Sequence, residues 1–241
     1  SASTLLDGIL GKAVDVDAVS SVLDWARDHE DEVSRHALMA LEYLPASVHL
    51  FGRIYLVTGY DIGIASPPDV AINVAHDHFL DAPQEIEHYA THEAHHLGFL
   101  ALRRPPALAG LDDPHRLLEV VHFFTQMEGM AVHAAYPERR LARALETDSD
   151  YRIYTDQVHA RSMCSRYREV LSPALAGRAL RDQDVGTILG AMSSSERLWY
   201  RVGALVSEQI EREQGRGALI ASIQAPETFR AATETLLARS R

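Results

Sequence analysis

The chain has 241 residues, 46% hydrophobic and 24% charged, with a formal net charge of −11, a size that buries a sizeable core without help from a metal or disulfides. The acidic balance argues against nucleic acid or an anionic membrane as partner. One cysteine, Cys164, excludes an intramolecular disulfide framework and a cysteine-rich zinc site, and no apolar run approaches the roughly eighteen residues of a membrane span.

Residues 4–11 and 15–43 carry apolar side chains at helical spacing, among them Leu5, Ile9, Val19, Val22, Trp25 and Leu38, and are predicted helices. The charged run from Arg27 to Glu32 reads as a solvated face or a helix junction. Ser47 to Thr58 alternates and is rich in β-formers, predicting one or two strands; after a loop over 59–68, Asp69 to Val74 is a second strand. A helix from about 83 to 99 follows, with Pro83 in its first turn, Glu85 and Glu87 at its positive end and Gly98 as its stop. Beyond a loop over 100–113, Asp112 or Asp113 can cap a helix that Pro114 begins. Helices are then expected over 114–136, 137–146, 150–172, 183–192, 195–214, 216–224 and 226–239.

The helix at 83–99 carries His92-Glu93-Ala94-His95-His96, the pattern HExxH. Positions four apart lie on one helix face a turn apart, so His92 and His96 can converge on one cation while Glu93 reaches a water beside it. Neutral imidazole suits Zn²⁺, whose catalytic sites take three protein ligands and leave a fourth position for water. Thirteen histidines make chance occurrence of the pattern worth weighing, and the helical setting favours a metal role. His88 shares the face, but eight residues of helix span about 12 Å, which places it behind the ligands or at the rim. His95 points elsewhere and should be packed.

A third ligand has to come from another element. Glu128 is the best candidate, because Phe124, Thr125, Ala131 and Val132 surround it at helical spacing and a carboxylate on an apolar face needs a metal or an arginine as partner. Gly129 costs a helix interior about 1 kcal/mol relative to alanine, which suggests a closely approaching backbone, expected to be the HExxH helix. His122 and His133 are rival ligands on other faces.

HExxH at 92–96 followed by Glu128-Gly129-Met130-Ala131 resembles the gluzincin group of zinc metallopeptidases. The chain is also similar to uncharacterised bacterial zinc-dependent peptidases in which a Glu-Gly-x-Ala helix precedes a Tyr-x-x-Gly segment, here Tyr200-Arg201-Val202-Gly203, the likeness covering about residues 45–235. The resemblance implies a zincin-like architecture with a small β-sheet beside the HExxH helix. It implies Zn²⁺ held by His92, His96 and Glu128, with Glu93 as catalytic base and a peptide or protein as substrate. It nominates Ala71 to Ala75 as an edge strand for extended substrate and Tyr200 as a candidate oxyanion donor. Two features depart from the pattern. Val132 stands where such enzymes commonly carry an aspartate, and no Gly-x-Met-x-Asn segment precedes His92, so an exopeptidase is not supported.

The expected fold is therefore α+β and predominantly helical, one domain over 1–241 made of N-terminal helices (1–45), sheet and metal-binding helices (46–136) and a C-terminal helical lobe (137–241). The expected function is zinc-dependent hydrolysis of peptide bonds. Its alternatives are a non-catalytic peptide-binding or chaperone-like protein that keeps a metal, and a hydrolase of small amides or esters. The default compartment is the cytoplasm, with a removed secretory leader as the alternative.

Overall fold

In a computed structural model of the chain, which describes residues 15–59 and 61–239, the stretch read as one helix over 15–43 is two. The helix expected over 4–11 lies outside the described residues. α1 (Val16–Asp28) starts at Asp15, whose carboxylate accepts from the Asp17 and Ala18 amides. α2 (Glu30–Met39) follows at once and closes in a 3-10 turn, Ala40–Tyr43. The charged run is thus a junction. His29 leaves helical geometry at φ −118° and ψ 26°, bonds the Trp25 carbonyl through Nδ1 at 2.8 Å and stacks on the Trp25 ring. Glu30, Asp31 and Glu32 then occupy the first turn of α2, where the helix dipole favours negative charge.

β1 (Ile54–Val57), β2 (Gly63–Ser66) and β3 (Asp69–Asn73) make one sheet in the order β1-β3-β2, with β3 parallel to β1 and antiparallel to β2. Ala71 pairs with Tyr55 on one side and Ile64 on the other. The expectation that Ala71 to Ala75 offer a free edge is therefore corrected: β3 is the central strand, and among the described residues β2 and β1 are the edges. The sequence hides this because β2 lies in a segment rich in glycine and proline that reads as loop. Loop and sheet are joined through Asn73, whose side chain accepts from the Gly59 amide at 3.1 Å and donates to the Gly59 carbonyl at 2.8 Å.

Val70, Ile72 and Val74 point to one face, where they pack with Val19, Val22, Ala26 and Val33 of α1 and α2, with Phe79 of α3 (Asp77–Asp81), and with Ile86, Tyr89 and Ala90 of the helix that follows. α4 (Glu85–Leu102) is the HExxH helix. Gly98 does not stop it: a Cβ there would lie 2.2 Å from Leu44 Cδ1, so the glycine makes room for Leu44 inside a helix that runs on to Leu102.

The chain divides into two compact units, Ser1–Ala101 and Leu102–Arg241. In the second, α5 (Pro114–Leu141) opens as expected, with Asp113 accepting from the His115 amide. It continues through Pro137, so the separate helix expected over 137–146 is absent. Proline inside a helix costs about 3 kcal/mol or more. Here the last turn is anchored by buried Arg139, whose guanidinium lies 4.5 Å over the Tyr151 ring and 3.7 Å from Asp148. A 3-10 turn (Ser149–Tyr151) leads into α6 (Arg152–Thr155) and α7 (Gln157–Leu175), divided where Asp156 caps the Val158 and His159 amides. α8 (Asp182–Gly190) passes through a π turn (Ala191–Ser195) to α9 (Leu198–Gln214), α10 (Arg216–Ala221) and α11 (Pro226–Arg239).

α5 and α9 cross at two glycines. A Cβ on Gly129 would lie 2.1 Å from the Gly203 carbonyl carbon, and one on Gly203 would lie 2.0 Å from the Thr125 oxygen. The close backbone approach expected at Gly129 is real, but its partner is α9 and not the HExxH helix. The fold is α+β and predominantly helical, and no helix among the described residues is long and apolar enough to cross a membrane.

Candidate metal centre

α4 buries polar groups along its whole length, including Glu85, His88, Thr91, His92, Glu93, His95 and His96. Buried polar groups need partners. Within the first unit, Glu85 Oε2 meets His78 Nε2 at 3.1 Å, and the Thr91 hydroxyl donates to the His36 carbonyl at 2.8 Å. His36 Nε2 lies 3.1 Å from Glu87 Oε2. Burial, with Arg35 adding to it, lowers the His36 pKa, and burial raises that of Glu87. The His88 ring stands edge-on to His36, centroids 5.6 Å apart. His95 is fully buried beside Phe99, packed as the sequence suggests.

His92 and His96 sit one turn apart, their ring centroids 4.6 Å from each other and their planes at 85°. Glu93 is the next residue round the helix from His92 and is buried. Gly63, at the start of β2, lies against its carboxylate: a Cβ on Gly63 would be 2.6 Å from Glu93 Oε1. Sequence reasoning missed this contact. The only signal is a glycine inside a strand, which often marks a close approach and becomes visible only once β2 is recognised as a strand.

In the second unit, Glu128 is buried in the middle of α5. Its surroundings on that helix are fixed by specific bonds. Thr125 Oγ1 and the Tyr167 hydroxyl are 2.9 Å apart, and Gln126 accepts from Arg103 and donates to the Ser222 carbonyl. The rival His133 is engaged elsewhere, with Nδ1 3.0 Å from the Tyr154 hydroxyl and Nε2 2.6 Å from Glu211 Oε2. The His133 hydrogen bond, aided by Arg216, holds the Glu211 pKa down at about 2. Burial, with Arg230 adding to it, lowers the pKa of the other rival, His122. Tyr200, on α9, has the Arg197 guanidinium 3.7 Å over its ring. Arg197 adopts a left-handed φ of 50° and bonds buried Asp150 through Nε at 2.7 Å, a pairing that offsets the cost of the unusual backbone.

Among the described residues, His92, His96 and Glu128 form a group that could hold a metal ion; neither His122 nor His133 belongs to it. Two imidazole nitrogens and a carboxylate oxygen are a donor set suited to Zn²⁺. Fold and donor set together define a helical α+β protein whose HExxH helix carries two histidines of a group that could hold a metal. Residues 28–232 match the family described as "Putative zinc dependent peptidase (DUF5700)", and the chain belongs to that family. No curated protein and no solved structure matches it.

Proposed function

We propose that this protein is a zinc peptidase of the gluzincin kind, in which His92, His96 and Glu128 hold Zn²⁺ and Glu93 is the general base. The observation that carries the reading is the buried Glu93 carboxylate on the same helix as two histidines of a group able to hold a metal, in a chain of a family described as zinc dependent. Zinc, when bound, supplies a Lewis acid that polarises a carbonyl and lowers the pKa of a water to about 7. A Glu93 carboxylate oxygen takes the proton of the attacking water and passes it to the departing amine nitrogen. An extended substrate adds to the outer edge of β2, the strand that touches Glu93, through backbone hydrogen bonds. This replaces β3, whose two edges are already paired.

Glu93 separates this reading from its alternatives. A structural metal site has no use for a carboxylate beside the ligands, so a metal-keeping binding protein leaves Glu93 unexplained. A hydrolase of small amides or esters would use the same group but would not need the β2 edge. The test is Glu93→Gln in the zinc-loaded protein, assayed against an internally quenched peptide library. Zinc content and thermal midpoint should match the parent, with kcat reduced by about 10²–10⁴. Parental turnover in the variant would remove Glu93 as base. Hydrolysis of small esters alone, with every peptide spared, would favour the small-molecule reading.

A further inference from the structure

Gly63 opens β2 between Ile62 and Ile64, at a position where strand propensity favours a branched or aromatic side chain and disfavours glycine. Its φ lies outside the left-handed range that only glycine adopts readily. Backbone conformation therefore does not call for glycine here. Space does. A Cβ on Gly63 would lie 2.6 Å from Glu93 Oε1, 3.0 Å from Cδ and 3.1 Å from Cγ, so any side chain would overlap the end of the glutamate.

We propose that Gly63 is a positioning residue for Glu93: the bare Cα of β2 is the surface against which the carboxylate rests, and it sets where the base stands. The inference rests on Glu93 being the base, and deepens that reading. What must yield to a larger residue follows from how each side is held. Gly63 pairs with Ile72 in the β2–β3 ladder, and the preceding Ile62 carbonyl accepts from the Asn73 amide at 3.0 Å. The strand start is tied by backbone bonds, whereas Glu93 presents the far end of a flexible side chain. An added methyl group therefore displaces the carboxylate, the flexible side, before it displaces the strand, and the base moves. Proton transfer depends on hydrogen-bond reach of the attacking water, and small misplacements at a reacting centre cost heavily in rate.

The experiment compares Gly63→Ala and Gly63→Val with Glu93→Gln, and with Gly59→Ala, where an added Cβ meets nothing within 4 Å. All are made in the full chain loaded with Zn²⁺. Expected for Gly63→Ala are parental zinc content and thermal midpoint, unchanged KM, and kcat down about tenfold or more, with a further loss for valine. A purely structural role would instead lower the thermal midpoint or zinc content in step with kcat, whereas a positioning role lowers kcat with KM and midpoint unchanged. Gly59→Ala should match the parent. Independently of activity, a crystal structure of Gly63→Ala should show the Glu93 carboxylate displaced from its parental position. An unmoved carboxylate, or parental kcat in Gly63→Ala alongside an inactive Glu93→Gln, overturns the inference while the zinc-peptidase reading stands. Loss of zinc in step with loss of kcat also overturns it. Parental kcat in Glu93→Gln instead sinks the assignment of the base, and this inference with it.

Discussion

Glu128 shows how far a single residue can be read. Its carboxylate sits in a helix whose neighbouring positions are apolar or small, and a buried charge without compensation is costly, so the sequence already marks it as a group awaiting a partner. Its membership in the group that could hold a metal leads to a direct expectation. Glu128→Gln keeps the shape and removes the charge, and should weaken zinc binding at least about 10–100-fold, the loss typical of residues one shell further out. Competition with a chromophoric chelator measures it, and parental affinity would strike Glu128 from the ligands. The histidines differ in legibility. Spacing alone sets His92 and His96 on one face, but that His36 pairs with Glu87 and His133 is bound by Tyr154 and Glu211 depends on partners 51 positions away in the first case and 21 and 78 in the second. No local pattern records such contacts.

At the scale of elements, helix ends with side-chain caps were readable: Asp113 and Pro114 open α5 as their chemistry requires. Glycines were not, because a glycine looks the same whether it ends a helix or admits a neighbour. Gly98 admits Leu44, and Gly129 admits Gly203. The second case makes a prediction. A Cβ on Gly129 would meet backbone atoms 2.1 and 2.2 Å away, which cannot swing aside as a side chain can. Gly129→Ala should therefore destabilise the protein by about 1–3 kcal/mol despite the gain of about 1 kcal/mol in helix propensity. Chemical denaturation measures the difference; a stabilised variant would mean that α5 and α9 do not cross at these glycines. Strand β2 was missed for a related reason. Its turn-forming residues describe the bends at its ends, while its pairing with β3 is a contact that composition does not encode.

Over the whole molecule, the net charge of −11 makes acid the informative perturbation, and Glu211 is a group whose response has a definite sign. Its pKa falls from 4.5 to about 2 on folding, so its contribution to stability is complete above the unfolded value and is lost as pH drops from 4.5 toward 2. Glu211→Gln should accordingly flatten the fall in thermal midpoint over that interval and lower the midpoint at neutral pH. An unchanged acid slope would show that the His133–Glu211–Arg216 cluster does not contribute to acid sensitivity. What the sequence by itself determined is what local periodicity and residue chemistry encode: a predominantly helical α+β chain, an HExxH helix with two histidines on one face, and a carboxylate out of place on an apolar helix. Only the tertiary structure decided that β3 is central and β2 an edge, that Gly129 answers to α9, and that Gly63 lies against Glu93. Those facts are contacts between segments distant in the chain, fixed by packing of whole elements, and hydrophobic spacing along one segment does not specify which neighbour it will meet.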